Sequence, residues 1–284
     1  MTTDTMAPST RVEQVSSART ATGLPVLRWA LIQQRRSLIG WALAMAAVTA
    51  IYVSFWPAMG SGEELQALID GLPEGLVSAL GYDGLGSAAG YLESTVFGLL
   101  GPMLLLVFVI GWAARTIAGL EEDGALELES TAPIARRRVL LERASALAVS
   151  VVGLCLVAGA VSTALVVALD MDVTIAGILA ATLGMALLVL AHGAVGLAVG
   201  AATGRRVFAL GAGAGLAVAG YMANAIGAML DDGDWLRALS PFHWYLGGEP
   251  LISGVGIGYL GLVAVTVVAL VVAVWAYERR DLGV

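Results

Sequence analysis

Six long stretches of this chain contain no Asp, Glu, Lys or Arg: residues 37–62, 94–114, 144–169, 173–204, 207–230 and 250–277. About 20 predominantly apolar residues carry a helix across roughly 30 Å of hydrocarbon, and every run reaches that length. Lipid offers backbone N–H and C=O groups no partner, so a crossing segment must be a helix or a strand of a closed barrel. The runs are near-continuous Leu, Val, Ala and Gly, without the strict alternation of barrel strands. The sequence therefore predicts an all-α membrane protein with six transmembrane helices, at about 37–57, 94–115, 144–169, 175–203, 207–230 and 255–277.

Six crossings place both termini on one side. That side receives Arg11, Arg19, Arg28, Arg35, Arg36, Arg115, Arg136, Arg137, Arg138, Arg143, Arg205, Arg206, Arg279 and Arg280, and the other only Arg237. Basic residues flanking spans are retained in the cytoplasm, so both termini are expected there. The opposite side carries most of the acids, among them Glu63, Glu64, Asp170, Asp172, Asp231, Asp232 and Asp234. The net charge of −7 thus reflects an acidic outer face set against a basic inner one. Nucleic-acid binding would need a clustered basic surface on a soluble domain and is not expected.

With 58% hydrophobic and 13% charged residues, the chain is used up by six spans and their loops, leaving no room for a separate catalytic domain. Cys155 is the only cysteine, so no intrachain disulfide can form, and packing is its expected role. Residues 1–23 are rich in Ser, Thr and Ala and lack an apolar core; they read as a disordered cytoplasmic tail rather than a cleaved secretory signal, with one domain over 24–284. There is no Lys, and a G-x-x-x-x-G-K-[ST] phosphate loop requires one. Any ATP driving this protein must be bound by another polypeptide. No Ser/His or Cys/His pairing and no His-x-x-x-His spacing supports a catalytic or metal site.

Several connecting segments carry local signals. Residues 24–36 read as a cytoplasmic amphipathic helix at the inner surface, with Pro25 in its first turn; the alternative is a plain extension of the first span. Phe55-Trp56-Pro57 ends that span, and short outer helices are expected at Glu63–Ile69 and Pro73–Leu80. Asp170–Val173 and Gly204-Arg205-Arg206 are tight turns, whereas 231–255 departs from a simple turn. Many of the 36 Gly residues lie inside spans, where small residues let helix backbones approach closely.

The segment 115–143 is the richest in the chain. Its first half is acidic, with Asp123-Gly124 opening a short helix that carries Leu126, Glu127 and Leu128; its second half begins at Pro133 and runs through Arg136, Arg137 and Arg138 into the third span. Solvated inner-loop charges would account for the three Arg. They do not account for a charged helix with Leu residues ahead of them, which suits docking onto a cytoplasmic partner.

Glu121, Gly124, Leu126, Glu127, Leu128, Pro133, Arg136 and Arg137 form a pattern that resembles the loop between the second and third helices of ABC-2 type permeases, the membrane subunits of ABC exporters. The six-helix layout, the amphipathic start, Leu72-Pro73 and Leu239-Ser-Pro-Phe-His-Trp-Tyr extend the resemblance over most of 24–284. It implies that about 120–138, including Glu122, Asp123 and Arg138, is the coupling segment seated in a cytoplasmic ABC ATPase. It implies too a homodimer or heterodimer of permeases in the lipid bilayer of a bacterial plasma membrane. ATP and Mg are expected on the partner subunit, and no cofactor on this chain. Ala125 and Glu129-Ser130 depart from the family's usual residues and bear on which ATPase is recognised. The rival readings are a membrane scaffold or regulator that moves no substrate and an ATP-independent transporter. The latter would need buried paired acids that the spans lack.

Single polar residues remain. His192, Tyr221 and Asn224 lie within spans as weak substrate-path candidates, with hydrogen bonding between helices as the plainer role. Arg115 reads as a boundary charge, paired with Glu121 or Glu122. His243 lies among Trp235, Phe242, Trp244 and Tyr245, which read as an outer-interface anchor.

Overall fold

The computed structural model describes residues 24–59, 71–72, 77, 86–122 and 135–280. The expected tail at 1–23 lies outside the described residues, as do the outer helices expected at Glu63–Ile69 and Pro73–Leu80 apart from buried Val77. Among the described residues there is no strand, and six helices are long and apolar enough to cross a membrane. They are α1 (Pro25–Phe55), α2 (Ala88–Gly119), α3 (Arg136–Ala168), α4 (Ile175–Thr203), α5 (Arg206–Met229) and α9 (Gly258–Arg279). Three short helices precede the last: α6 (Asp234–Arg237), α7 (Pro241–Leu246) and α8 (Pro250–Ser253). The chain is a multi-pass membrane protein.

Three helices begin well before their uncharged runs, α2 by six residues at Ala88. The helix expected over 24–36 is present, but as the first turns of α1 rather than as a separate surface element. Arg28, Arg35 and Arg36 are good helix formers and give the chain no reason to break. At 31 residues α1 is about 46 Å long, well beyond the ~30 Å of a bilayer core, so part of it projects past the hydrocarbon. In the same way α3 starts at Arg136, eight residues ahead of Ala144.

The turns follow from local chemistry. After α3, Asp170 takes a left-handed conformation (φ 50°), and the N–H groups of Met171 and Asp170 return to the carbonyls of Val166 and Val167. This is a Schellman closure, and Thr174 caps α4 by accepting from Gly177 N–H at 3.1 Å. Gly204 ends α4 at φ 66°, a conformation that favours glycine.

Helix α4 is the centre of the bundle, packed against α2, α3, α5 and α9 and against α7 and α8. Two thirds of its apolar stretch (67%) is buried, against 17% for α1 and α5. Glycine makes that position possible. Gly177 lies on the backbone of Leu251, and Gly184 on the rings of Tyr245 and Tyr259; a β-carbon at either would collide with those atoms.

Residues 231–257 rest only partly at the surface: Trp235, Leu239, Ile252 and Ile257 are exposed, but other side chains turn inwards. Phe242 and Tyr245 of α7 are buried, and the Phe242 ring lies 5.9 Å from that of His192, some 25 Å along α4 from its start. The expected outer-interface anchor is therefore only partly one: Trp235 is exposed, whereas Phe242 and Tyr245 face the core. Aromatic rings suit either setting, and the cap at Ser240 decides between them. Its Oγ accepts from Phe242 N–H (3.1 Å) and donates to Gly220 O (2.7 Å), turning α7 into the bundle against α5.

Candidate functional site

At the Arg-rich end, polar contacts tie together the ends of all six long helices around the stems of segment 123–134. Glu121, just past α2, pairs with Arg280 at the end of α9. Arg280 Nη1 also donates to Ala201 O near the end of α4 (3.1 Å), and Arg280 O accepts from Arg136 Nη1 at the start of α3 (3.2 Å). Glu122 Oε1 accepts the first N–H of α5, from Arg206, at 2.9 Å. Carboxylates at helix starts and guanidinium groups at helix ends both complement the helix dipole.

The sixth helix end joins through Glu142. Its carboxylate is 3% exposed and accepts from Val26 N–H (2.8 Å) and Leu27 N–H (3.2 Å), the open donors of the first turn of α1. Leu24 offers α1 no side-chain cap, so a residue of another helix performs that task. Arg138 pairs with the second Glu142 oxygen at 2.8 Å, giving a line from α1 to the basic start of α3. Buried Arg143 donates to Thr116 O (3.3 Å), inside a π-helical stretch, Arg115–Gly119, that ends α2.

Of the residues anticipated from sequence, Glu121, Glu122, Arg136 and Arg138 enter this collar, and Arg137 is exposed beside it. Asp123, Gly124, Leu126, Glu127, Leu128 and Pro133 lie outside the described residues. The pairing expected of Arg115 with Glu121 or Glu122 is not formed. Arg115 Nε donates instead to Gly111 O one turn back (3.0 Å), while Glu121 and Glu122 face Arg280 and Arg206. Glu142 and Arg280 carry the collar and were not singled out in the sequence. Glu142 did leave a signal: it is a lone carboxylate four residues after Arg138, at the mouth of an apolar run.

Between α1, α2 and α5 runs a groove of about 700 Å³, lined almost wholly by apolar side chains. Tyr221 lines it together with Phe242, and their rings meet edge to face at 5.6 Å. His192 stands behind Phe242, fully buried. Its Nδ1 lies 2.8 Å from Leu188 O of its own helix, so the bond between helices expected of it is replaced by one within α4. Asn224 is partly exposed and does not line the groove.

Residues 24–282 match a family model described as ABC-2 family transporter protein. The chain belongs to that family. It is thus the transmembrane component of an ABC transporter, and a search of curated proteins returned no match. The far end of this permease is held differently from the collar. Tyr245 Oη donates to Phe97 O (3.1 Å) in a second π-helical stretch of α2, Glu93–Leu100. Tyr259 Oη donates to Ala180 O (2.9 Å), and Glu93 Oε2 accepts from Leu251 N–H (3.1 Å). Burial pushes the Tyr245 hydroxyl well above its usual pKa, so it remains a donor. Burial and the Arg237 guanidinium lower the His243 pKa, against an opposing pull from Asp234.

Proposed function

We propose that this permease is the membrane subunit of an ATP-driven exporter, and that a separate cytoplasmic ATPase docks on residues 120–138. The Arg-rich end is then cytoplasmic, ATP and Mg belong to the partner, and two permease copies complete the assembly. The observation that carries this reading is the collar. A displacement applied to the stems at Glu122 and Arg136 acts at once on α9 through Arg280, on α4 through Ala201 and on α5 through Arg206. Discrete polar links of this kind transmit motion between rigid helices. The complete lack of Lys supports placing nucleotide binding elsewhere.

Within the docking segment, Leu126 and Leu128 supply apolar contact and Glu127 a charged anchor, while Arg136–Arg138 set orientation at the lipid surface. The groove beside Tyr221 is the candidate substrate path, with His192 supporting Phe242 from behind. The test is affinity purification in mild detergent with mass spectrometry of whatever accompanies the protein. A soluble ATPase at about one copy per permease is expected, and Glu127→Arg should insert normally yet lose stimulation of that ATPase by about tenfold or more, as for a buried interfacial charge. A partnerless preparation across several detergents, or unchanged transport in Glu127→Arg, would overturn the docking assignment and favour a scaffold.

A further inference from the structure

The groove between α1, α2 and α5 is charged at one end only, and Tyr221 is the polar side chain that lines it near Phe242. Gln34, Ser37 and Arg115 line it at the Arg-rich end; beyond them Trp41, Phe108, Met103, Leu99 and Met222 carry it towards Phe242. From Arg115 to Gly98 it follows about 25 Å of α2, whereas one leaflet contributes about half of a ~30 Å hydrocarbon core. Its volume of about 700 Å³ falls within the ~300–1,000 Å³ typical of small-molecule clefts.

The position of Arg115 is what points to a ligand. A boundary arginine normally extends its head outwards to water and phosphate. Here the side chain doubles back along α2: Nε bonds to Gly111 O, and a β-carbon on Gly111 would lie only 3.7 Å from Nη2. The guanidinium therefore sits one turn towards the hydrocarbon, at ordinary van der Waals distance from where a β-carbon on Gly111 would stand. No carboxylate among the described residues pairs with it, and none of the residues lining the groove is acidic. A cation drawn towards lipid calls for an anion. Gln34 and Ser37 line the same end, and an apolar channel of chain length leads away from it.

We propose that the groove binds an anionic phospholipid of the adjoining leaflet, its phosphate on Arg115, Gln34 and Ser37 and one acyl chain along α2 towards Met222. The site rests on the Arg-rich end lying at a membrane surface, not on which surface that is, and not on the presence of an ATPase. It deepens the reading of this groove as a path by naming the chemical class that fits it.

The experiment uses the purified permease alone in nanodiscs, with phosphatidylglycerol or phosphatidylcholine carrying a photoactivatable group at the end of one acyl chain. Cross-linked residues are mapped by mass spectrometry. Phosphatidylglycerol should label 99–107 and 218–222 in preference to phosphatidylcholine, by about tenfold, the worth of one charge-assisted hydrogen bond. Arg115→Gln should abolish the preference, Arg115→Lys should keep most of it, and Gly111→Leu should reduce labelling by both lipids. Equal labelling by the two lipids in the unaltered protein, or none above that of the lipid-facing side of α9, would overturn the proposal. So would cross-links from these residues to a second permease copy in place of lipid. Because no ATPase is present, either result leaves the docking assignment to its own test.

Discussion

The two ends of this bundle are held by different physics. At the Arg-rich end, Glu121, Glu122, Glu142, Arg136, Arg138 and Arg280 connect six helix termini through charged groups, several of them partly exposed. At the opposite end, α7 and α8 pack against α4, and α7 also against α9, pinned by hydroxyl groups on carbonyls and by rings on glycines. Partly exposed ion pairs contribute little stability and exchange partners readily, whereas a close-packed core has essentially one arrangement. One end is a linked set of charged helix termini and the other a close-packed core. The proposed docking segment joins the bundle at the charged end, through Glu122 and Arg136.

The comparison breaks most sharply at Gly184. Gly184→Leu would drive a side chain into Tyr245 and Tyr259, and we expect a loss of roughly 3 kcal/mol or more, seen as failure to recover monodisperse protein. Glu142→Ala should follow at about 2 kcal/mol, because it strips two helix N–H groups and Arg138 of a buried acceptor. Glu142→Gln, which can still accept, should recover part of the loss in the same thermal unfolding series.

Charge reversal at the collar sharpens the contrast, since its effect on folding is small. Arg280→Glu or Glu121→Arg alone should cost about 1 kcal/mol or less. Each should nevertheless lower transport per ATP hydrolysed, and the double exchange should restore that ratio. A ratio that tracked thermal stability across all three variants would make the pair merely structural.

The smallest effect is expected at His243. Its pKa in the folded protein lies below the ordinary 6.5, so the unfolded chain binds the proton first as pH falls. His243 therefore favours the folded state fully above pH 6.5, and that contribution is lost as pH drops from 6.5 through the lowered value. His243→Gln should flatten the acid limb of a melting-temperature profile, and an unchanged slope would remove His243 as its source.

What was legible in the sequence was what is local or dictated by the solvent. The six helices follow from uncharged length, and the 170–173 turn from two Asp residues between apolar runs. The start of α1 was less legible because Arg28, Arg35 and Arg36 mark a membrane boundary without marking a helix boundary. The inward course of α7 was hidden because Phe242 and Tyr245 fit a headgroup belt as well as a core. The collar was hidden for another reason: Glu121 and Arg280 are 159 positions apart, and a lone sequence gives no sign of which distant charges meet. Arg115 ends the uncharged run while the helix continues to Gly119, and its partner depends on how an arginine folds back towards Gly111.

The cap on α1 has a consequence for the order of synthesis. Val26 is translated 116 residues before the carboxylate that completes its first turn. At about 5–20 residues per second, the first helix waits roughly 6–23 s before Glu142 exists to receive it. During that interval a nascent chain carries an open helix end with three Arg residues close behind it, available to chaperones and insertion machinery. Arrival of the third span closes that interval and supplies the missing acceptor for Val26 and Leu27.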